Sequence, residues 1–375
     1  MNVFSIVTNN YVNDSRVYKT SNTLLKFGFD VTIIALHKNG LKTKDNIGGI
    51  CIKRIQLITK SLPKYKVFQF IKYFEFILRC IISINNKSNY IICNDLDTLP
   101  IGFLIHHISK NPVKIIYDCH EYETERDGMT KITKIILKYF ERILINCTDN
   151  IFCVSDSIAC AYESDYAIRK PKIVLNCPSF QEHPKKNIFR DFFGLHINQK
   201  IFLYQGGLKS GRGIEILIES FSNLQNDNCV IVFMGYGPLE NIILAASKKN
   251  KTIFLHKAVN PNVLLNYTSS ADYGILFYED TCLNHRYCSP NKIFEYLMAG
   301  LPVLTSNLYE MKRLVESEGV GIVADDNTVK GFMLAVENCI KLDYPSTQLN
   351  VYNARKKYSW EQQIHVLLSA FTSNN

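Results

Sequence analysis

The chain has 375 residues, 47% hydrophobic and 21% charged, with 18 glycines and 11 prolines; this is globular composition on a two-domain length, and it excludes collagen-like, low-complexity and charge-rich disordered classes. The net charge of +9 sits early, with 24 Lys and Arg against 16 Asp and Glu in residues 1–180 and 19 against 18 in residues 181–375. No zinc finger, RNP-like strand or organised basic helix accompanies this excess, which argues against nucleic acid and makes an anionic membrane surface the better partner.

Short β-branched runs alternate with helical patterns along the whole chain, the signature of parallel α/β architecture with strands buried on both faces. Strands are predicted at 3–7, 31–35, 50–55, 90–93, 114–117, 151–154 and 173–175. Between the third and fourth lies 67–84, the most apolar stretch, where Lys72, Glu75 and Arg79 share one helical stripe and Phe70, Ile71, Phe74, Ile77, Leu78 and Ile81 fall on the others. This amphipathic helix either packs in the core of an α/β domain or lies on a membrane, where Lys60, Lys64, Lys66 and Lys87 would flank it.

A polar segment with two prolines, 176–186, marks the domain boundary. The predicted organisation is a first domain over 1–180, a linker over 181–195 and a second domain over 196–350. Strands in the second domain are predicted at 201–204, 229–233, 252–255, 273–276, 303–304 and 321–323. Helical patterns close the chain at 351–358 and 360–371, with Ser359 as an N-cap between them.

The 12 cysteines form no C-x-x-C pair and no Cys/His ligand spacing, so they read as buried or free thiols of a reducing compartment. Met1 is followed by Asn-Val-Phe-Ser-Ile-Val and not by a basic region and a long apolar run, so no signal peptide is expected and the predicted location is cytoplasmic.

Two segments are suited to anions. The strand at 201–204 runs into Gly206, Gly207, Lys209, Gly211, Arg212 and Gly213, and a helical pattern starts at Ile214. Glycines allow close backbone approach, a helix start presents unpaired N–H groups, and Arg212 adds a fork of donors. Neither G-x-G-x-x-G nor the Walker pattern is matched, and a tight turn with incidental glycines is the alternative. In the second segment Ser289 can cap a helix whose first turn holds Pro290, so that Ser289, Asn291 and Lys292 sit where a diphosphate would need donors. Glu295, one turn beyond Asn291, can accept ribose hydroxyls; a purely structural helix is the alternative.

The pieces YQGGLKSGRGIEILIESF, MGYGPLE and SPNKIFEYLMAGLPVLTSN, preceded by NDSRVYKTSNTLLKFGFDVTII, CNDLDTLPIG, IYDCHEYETE, VSDSIA and VLNCP, resemble glycosyltransferase family 4 in order and spacing. The resemblance implies a GT-B fold, two Rossmann-like domains facing across a cleft, with the terminal residues 351–375 returning to the first. It also implies transfer of a sugar with retention from a nucleotide-sugar, a UDP- or GDP-sugar, to a saccharide or lipid-linked saccharide acceptor. Neither a metal nor another cofactor is implied, and the setting is cell-surface polysaccharide assembly, such as capsule or O-antigen, on the inner face of the cytoplasmic membrane. The implied catalytic residues are His120, Arg212 and Lys292. Donor binding falls to Gly206, Gly207, Lys209, Gly237, Ser289, Pro290, Asn291 and Glu295, and the acceptor side to Asp14, Arg16, Asp95 and Glu121, with Asp97 placed like Asp95.

Two positions depart from the family. Tyr287 stands where the first glutamate of the E-x7-E motif belongs, leaving Asn284, Tyr287 or Glu279 to meet the donor sugar. Gly207 stands where many members have an arginine, for which Lys209 is a substitute. These departures keep two alternatives open, a non-catalytic nucleotide-sugar-binding subunit and a nucleotide-sugar epimerase of the same fold.

Overall fold

Each predicted strand forms, most within two residues of its expected limits, and the strands assemble into two sheets. The structure, a computed structural model, describes residues 1–12, 14–84 and 87–372, and the chain divides into one unit of residues 1–174 with those from Gln363 onward and a second of Leu175–Gln362.

Strands of the first unit are β1 (Asn2–Ile6), β2 (Asp30–Leu36), β3 (Lys44–Ile47), β4 (Ile50–Ile55), β5 (Tyr90–Asn94), β6 (Lys114–Cys119), β7 (Asn150–Cys153) and β8 (Lys172–Ile173). They pair in the order β3-β4-β2-β1-β5-β6-β7-β8, parallel except for β3 against β4. The unpredicted β3 is polar and short, and pairs on the sheet edge through a tight hairpin at Gly48 and Gly49, both at positive φ; it has no apolar periodicity to betray it. Helices α1 (Ser15–Lys26), α2 (Lys66–Ile84), α3 (Leu99–Ile108), α4 (Lys131–Ile145) and α5 (Asp156–Tyr166) complete the unit.

The charged stripe of α2 turns toward the protein, opposite to what its amphipathic pattern would bring in a core. The Glu75 carboxylate accepts the backbone N–H groups of Ile58 and Thr59 and pairs with Arg79 at 2.6 Å, while Lys72 donates to the Leu62 carbonyl. Phe76, Ile77, Cys80 and Ile84 are buried, and Phe70, Phe74, Leu78 and Ile82 are left facing solvent. Among the described residues no helix is long and apolar enough to cross a membrane.

In the second unit β9 (Lys200–Gly207), β10 (Cys229–Tyr236), β11 (Ile253–Lys257), β12 (Tyr273–Leu276), β13 (Val303–Thr305) and β14 (Gly321–Val323) form an all-parallel sheet in the order β11-β10-β9-β12-β13-β14. Alternate residues of β10 enter separate cores: Val230, Val232 and Met234 on one face, Cys229, Ile231 and Phe233 on the other. Double burial is why this strand reads as an unbroken apolar run.

The boundary lies at Val174/Leu175, earlier than 180, and 181–195 is not a free linker. Cys177 and Phe189 are fully buried in the second unit's core, and Lys185 and Arg190 both pair with Asp272, at 2.9 and 2.8 Å. The end of the chain is shared. The helix Tyr344–Lys357 buries Val351 and Ala354 in the second unit, whereas the end of the helix Trp360–Thr372 sets Phe371 against Phe29 and Tyr90 of the first. The expected return of 351–375 to the first domain therefore holds from Gln363 and not before it. All 12 cysteines are free thiols.

Candidate functional site

Parallel sheets bind ligands at the carboxyl ends of strands, beside the point where strand order reverses. In the second unit the order reverses between β9 and β12. There a cavity of about 500 Å³ opens over the ends of β9, β10 and β11, within the range of small-molecule sites. Of the residues the sequence singles out, Gly206, Gly207, Lys209, Gly237, Lys292 and Glu295 line it.

The glycines have separate reasons. Gly206 stands at φ +133, and an added Cβ would come within 2.3 Å of Lys292 Cε, so its missing side chain is what lets the lysine lie across the loop. A Cβ on Gly235 would meet the Gly206 carbonyl at 1.9 Å, which brings the ends of β9 and β10 together. At Gly207 an added Cβ would enter open space.

Two cations, Lys292 on the cavity wall and Arg212 within electrostatic reach of it, have no ion pair among the described residues. Lys292 is half-buried and has no hydrogen bond or ion pair among the described residues; burial pushes its ammonium pKa down, and Glu295 offsets this only in part. Arg212 stacks its guanidinium 3.7 Å from the centroid of the Tyr278 ring, and its buried Nη1 has no hydrogen-bond partner among the described residues. Buried donors are normally satisfied, so a guanidinium nitrogen with no partner beside a lysine with none has the chemistry to hold an anion.

Glu295 is held in place. Thr268 Oγ1 donates to Gln205 Oε1 at 2.8 Å, and Gln205 Nε2 donates to Glu295 Oε2 at 2.6 Å. The chain runs through a side chain that is 3% exposed, so the carboxylate has a defined orientation at the cavity wall.

The helix that carries Lys292 begins one residue later than expected, at Asn291, with Pro290 in the N-cap position and no side-chain cap. Ser289 is thus not the cap; it is buried, and neither it, Pro290, Asn291 nor Arg212 lines the cavity. Tyr287 packs its ring against Tyr309, and Glu279 spends a carboxylate oxygen on the Gly213 N–H at 3.4 Å. Sequence reasoning missed Gln205, Tyr236, Ala258, Val259 and Leu264 among the lining residues. The strand-end rule applied to β10 and β11 would have reached Tyr236 and Ala258.

The first unit has a second polar cluster, again where strand order reverses, between β1 and β5. His120, just past β6, has its Nε2 3.3 Å from Asp118 and its Nδ1 3.5 Å from Asp95. Burial opposes its charge, but the two carboxylates outweigh burial and raise its pKa. Asp95 accepts the His120 backbone N–H at 3.1 Å and is itself at φ +65, ψ 166, a conformation nearly reserved for glycine. Glu123 is fully buried with Arg126 Nη2 at 3.2 Å; burial, and then the Asp95 carboxylate, push its carboxyl well up.

The acceptor-side expectations divide. Asp95 and exposed Glu121 flank His120, but Asp14 caps α1 through the Val17 N–H. Arg16 is 3% exposed and grips Asp118 with two hydrogen bonds, its third going to the Val174 carbonyl at 2.7 Å. It is a buried ion pair within the first unit. Asp118, inside an otherwise apolar strand, was the available signal, since a buried carboxylate needs a cation.

The family described as Glycosyl transferases group 1 matches residues 199–341. The chain is 24% identical over 358 residues to an uncharacterized glycosyltransferase, MJ1607, of Methanocaldococcus jannaschii, covering 90% of this chain and 88% of that one. Similar solved structures include sucrose-phosphate synthase (tll1590) from Thermosynechococcus elongatus, with TM-score 0.79 and 13% identity over 99% of this chain and 98% of that chain. Anabaena Alr3699/HepE in complex with UDP-glucose gives TM-score 0.76 and 11% identity over 100% of both chains. The chain has the two-domain α/β fold of GT-B glycosyltransferases, and the group 1 match lies within its second unit.

Proposed function

We propose that the protein is a retaining glycosyltransferase that moves a sugar from a nucleotide-sugar, a UDP- or GDP-sugar, to a saccharide or lipid-linked saccharide in cell-surface polysaccharide synthesis. The observation that carries this reading is the pair of unpaired cations, Lys292 and Arg212, beside a cavity of about 500 Å³ with an oriented carboxylate on its wall. A nucleoside diphosphate has the chemistry that answers both: phosphates for the cations, ribose hydroxyls for Glu295. The family match over 199–341 and the UDP-glucose held by the Anabaena relative support the same donor class.

The acceptor hydroxyl attacks on the face from which the diphosphate leaves, and the leaving phosphate takes the proton. Negative charge grows on that phosphate as the glycosidic bond breaks, and Arg212 and Lys292 stabilise it, so the reading calls for no metal. His120, held between Asp95 and Asp118, is the residue the first unit offers to this scheme.

A thermal-shift panel of UDP-, GDP-, ADP- and CMP-sugars tests the donor assignment, since a ligand that binds only the folded chain raises its Tm. One nucleotide series is expected to stabilise the protein and Glu295→Ala to remove the effect; no shift with any series would overturn it. Tyr287 and Gly207 keep the binding-subunit reading in play, and donor hydrolysis without acceptor separates the two, because a binding subunit releases no nucleotide.

Gln205→Leu tests the orienting relay. Losing a hydrogen bond to a carboxylate is expected to weaken donor affinity about tenfold, with the ligand-free Tm changed by far less than a core truncation would change it. Donor affinity equal to wild type would show that Glu295 needs no support from Gln205.

A further inference from the structure

We propose that α2, α3 and α4 together form a surface that docks on an anionic lipid bilayer. The right-handed course of the parallel connections places these helices on one face of the sheet, and α3 packs against both α2 and α4. Large apolar side chains point outward from all three. On α2, Phe70 is 73% and Phe74 62% exposed; on α4, Ile132 is 71% and Ile135 69% exposed, with Tyr139 one turn further along; on α3, Ile108 is 56% exposed. Exposed positions recur on α4 at helical spacing, so one whole face of the helix is apolar. Single exposed hydrophobics are ordinary, but many of them on three adjoining helices, with a whole face of α4 among them, mark an interaction surface.

The charges choose the occupant. Glu75, the one acid of α2, is bonded inward to the turn at Ile58–Ser61 and to Arg79. Glu141, the one acid of α4, is fully buried and accepts hydrogen bonds from the hydroxyls of Tyr117, Tyr162 and Tyr166. Neither helix therefore shows a carboxylate to solvent. Lys64, Lys66 and Lys131, at the starts of α2 and α4, are exposed and have no ion pair among the described residues. Apolar side chains with cations at the helix starts fit the acyl boundary and phosphate headgroups of an anionic leaflet, with the helices lying in the interface and not crossing it. A second copy of this chain would bring like charges together.

The inference does not rest on sugar transfer, because binding is measured without substrate. Flotation with vesicles of phosphatidylcholine alone, and of phosphatidylcholine mixed with phosphatidylglycerol, is expected to recover the full chain with the anionic vesicles and to lose it as salt rises. Phe70→Ser, Phe74→Ser, Ile135→Ser and Tyr139→Ser combined should lower recovery at least about tenfold at unchanged Tm, since these side chains support no core. Lys64→Glu, Lys66→Glu and Lys131→Glu combined should abolish the preference for the anionic lipid. If the fourfold variant does not fold, Phe74→Ser and Ile135→Ser singly carry the same test. Absence of binding at low salt would overturn the proposal, as would recovery indifferent to these substitutions. Sedimentation showing a wild-type dimer that the apolar variant dissociates would overturn it too, assigning the face to a second copy.

Discussion

Lys292→Met is expected to raise the Tm of the ligand-free protein while removing donor binding and transfer. In wild type the ammonium is half-buried, unpaired among the described residues, and close enough to Arg212 and Lys209 for both to disfavour its charge. A methionine keeps the aliphatic volume that lies over Gly206 and discards the charge, which should stabilise the apo protein by roughly 1 kcal/mol. Transfer loses a preorganised cation at the leaving phosphate, a deficit of about 10²–10³ in turnover. Arg212→Ala should cost turnover on the same scale, but without a gain in Tm, because the guanidinium stacked on Tyr278 contributes of order 1 kcal/mol of cation–π attraction. Calorimetry of the apo proteins and single-turnover transfer check both variants. A Lys292→Met protein with lowered Tm and unaltered donor affinity would make the lysine a structural residue.

The opposing signs in that prediction explain why a candidate anion site is legible in the sequence alone. A loop with glycines at 206, 207, 211 and 213 and a cation at 212 makes little sense as packing alone, and the structure puts Gly206 under Lys292 for a steric reason. Strands such as β10 were legible because burial on both faces removes polar residues from them, and β3 was not, because an edge hairpin of Lys, Asp and Asn is held by backbone pairing that leaves no mark in side-chain pattern. Gln205 escaped for another reason: a glutamine at a strand end shows its role only when Thr268, 63 residues away, closes the chain of hydrogen bonds. On α2 the three charges were placed on one stripe correctly, yet that stripe faces the turn at Ile58–Ser61, since periodicity gives a helix two faces and does not say which is inside.

Arg16→Ala is expected to destabilise the first unit by about 3–5 kcal/mol, the penalty for leaving a buried carboxylate without its cation. Arg16 and Asp118 are 3% and 2% exposed, and with the arginine gone Asp118 keeps, among the described residues, His120 Nε2 at 3.3 Å as its basic neighbour. Burial alone would raise the Asp118 pKa, and Arg16 is the first of the groups that instead hold it below the usual carboxylate range. A depressed folded-state pKa contributes stability that is present above the unfolded value and lost as pH falls through the folded one. Arg16→Ala removes most of that contribution, so its cost should be greatest at neutral pH and shrink in acid, where Asp118 is protonated in wild type and variant alike. Arg16→Met combined with Asp118→Leu deletes both charges and should recover much of the loss, which a double-mutant cycle in urea measures. An acceptor-binding role predicts the reverse pattern: a folded Arg16→Ala protein with wild-type Tm at every pH and a raised KM for acceptor, and that outcome would return Arg16 from the core to the binding surface.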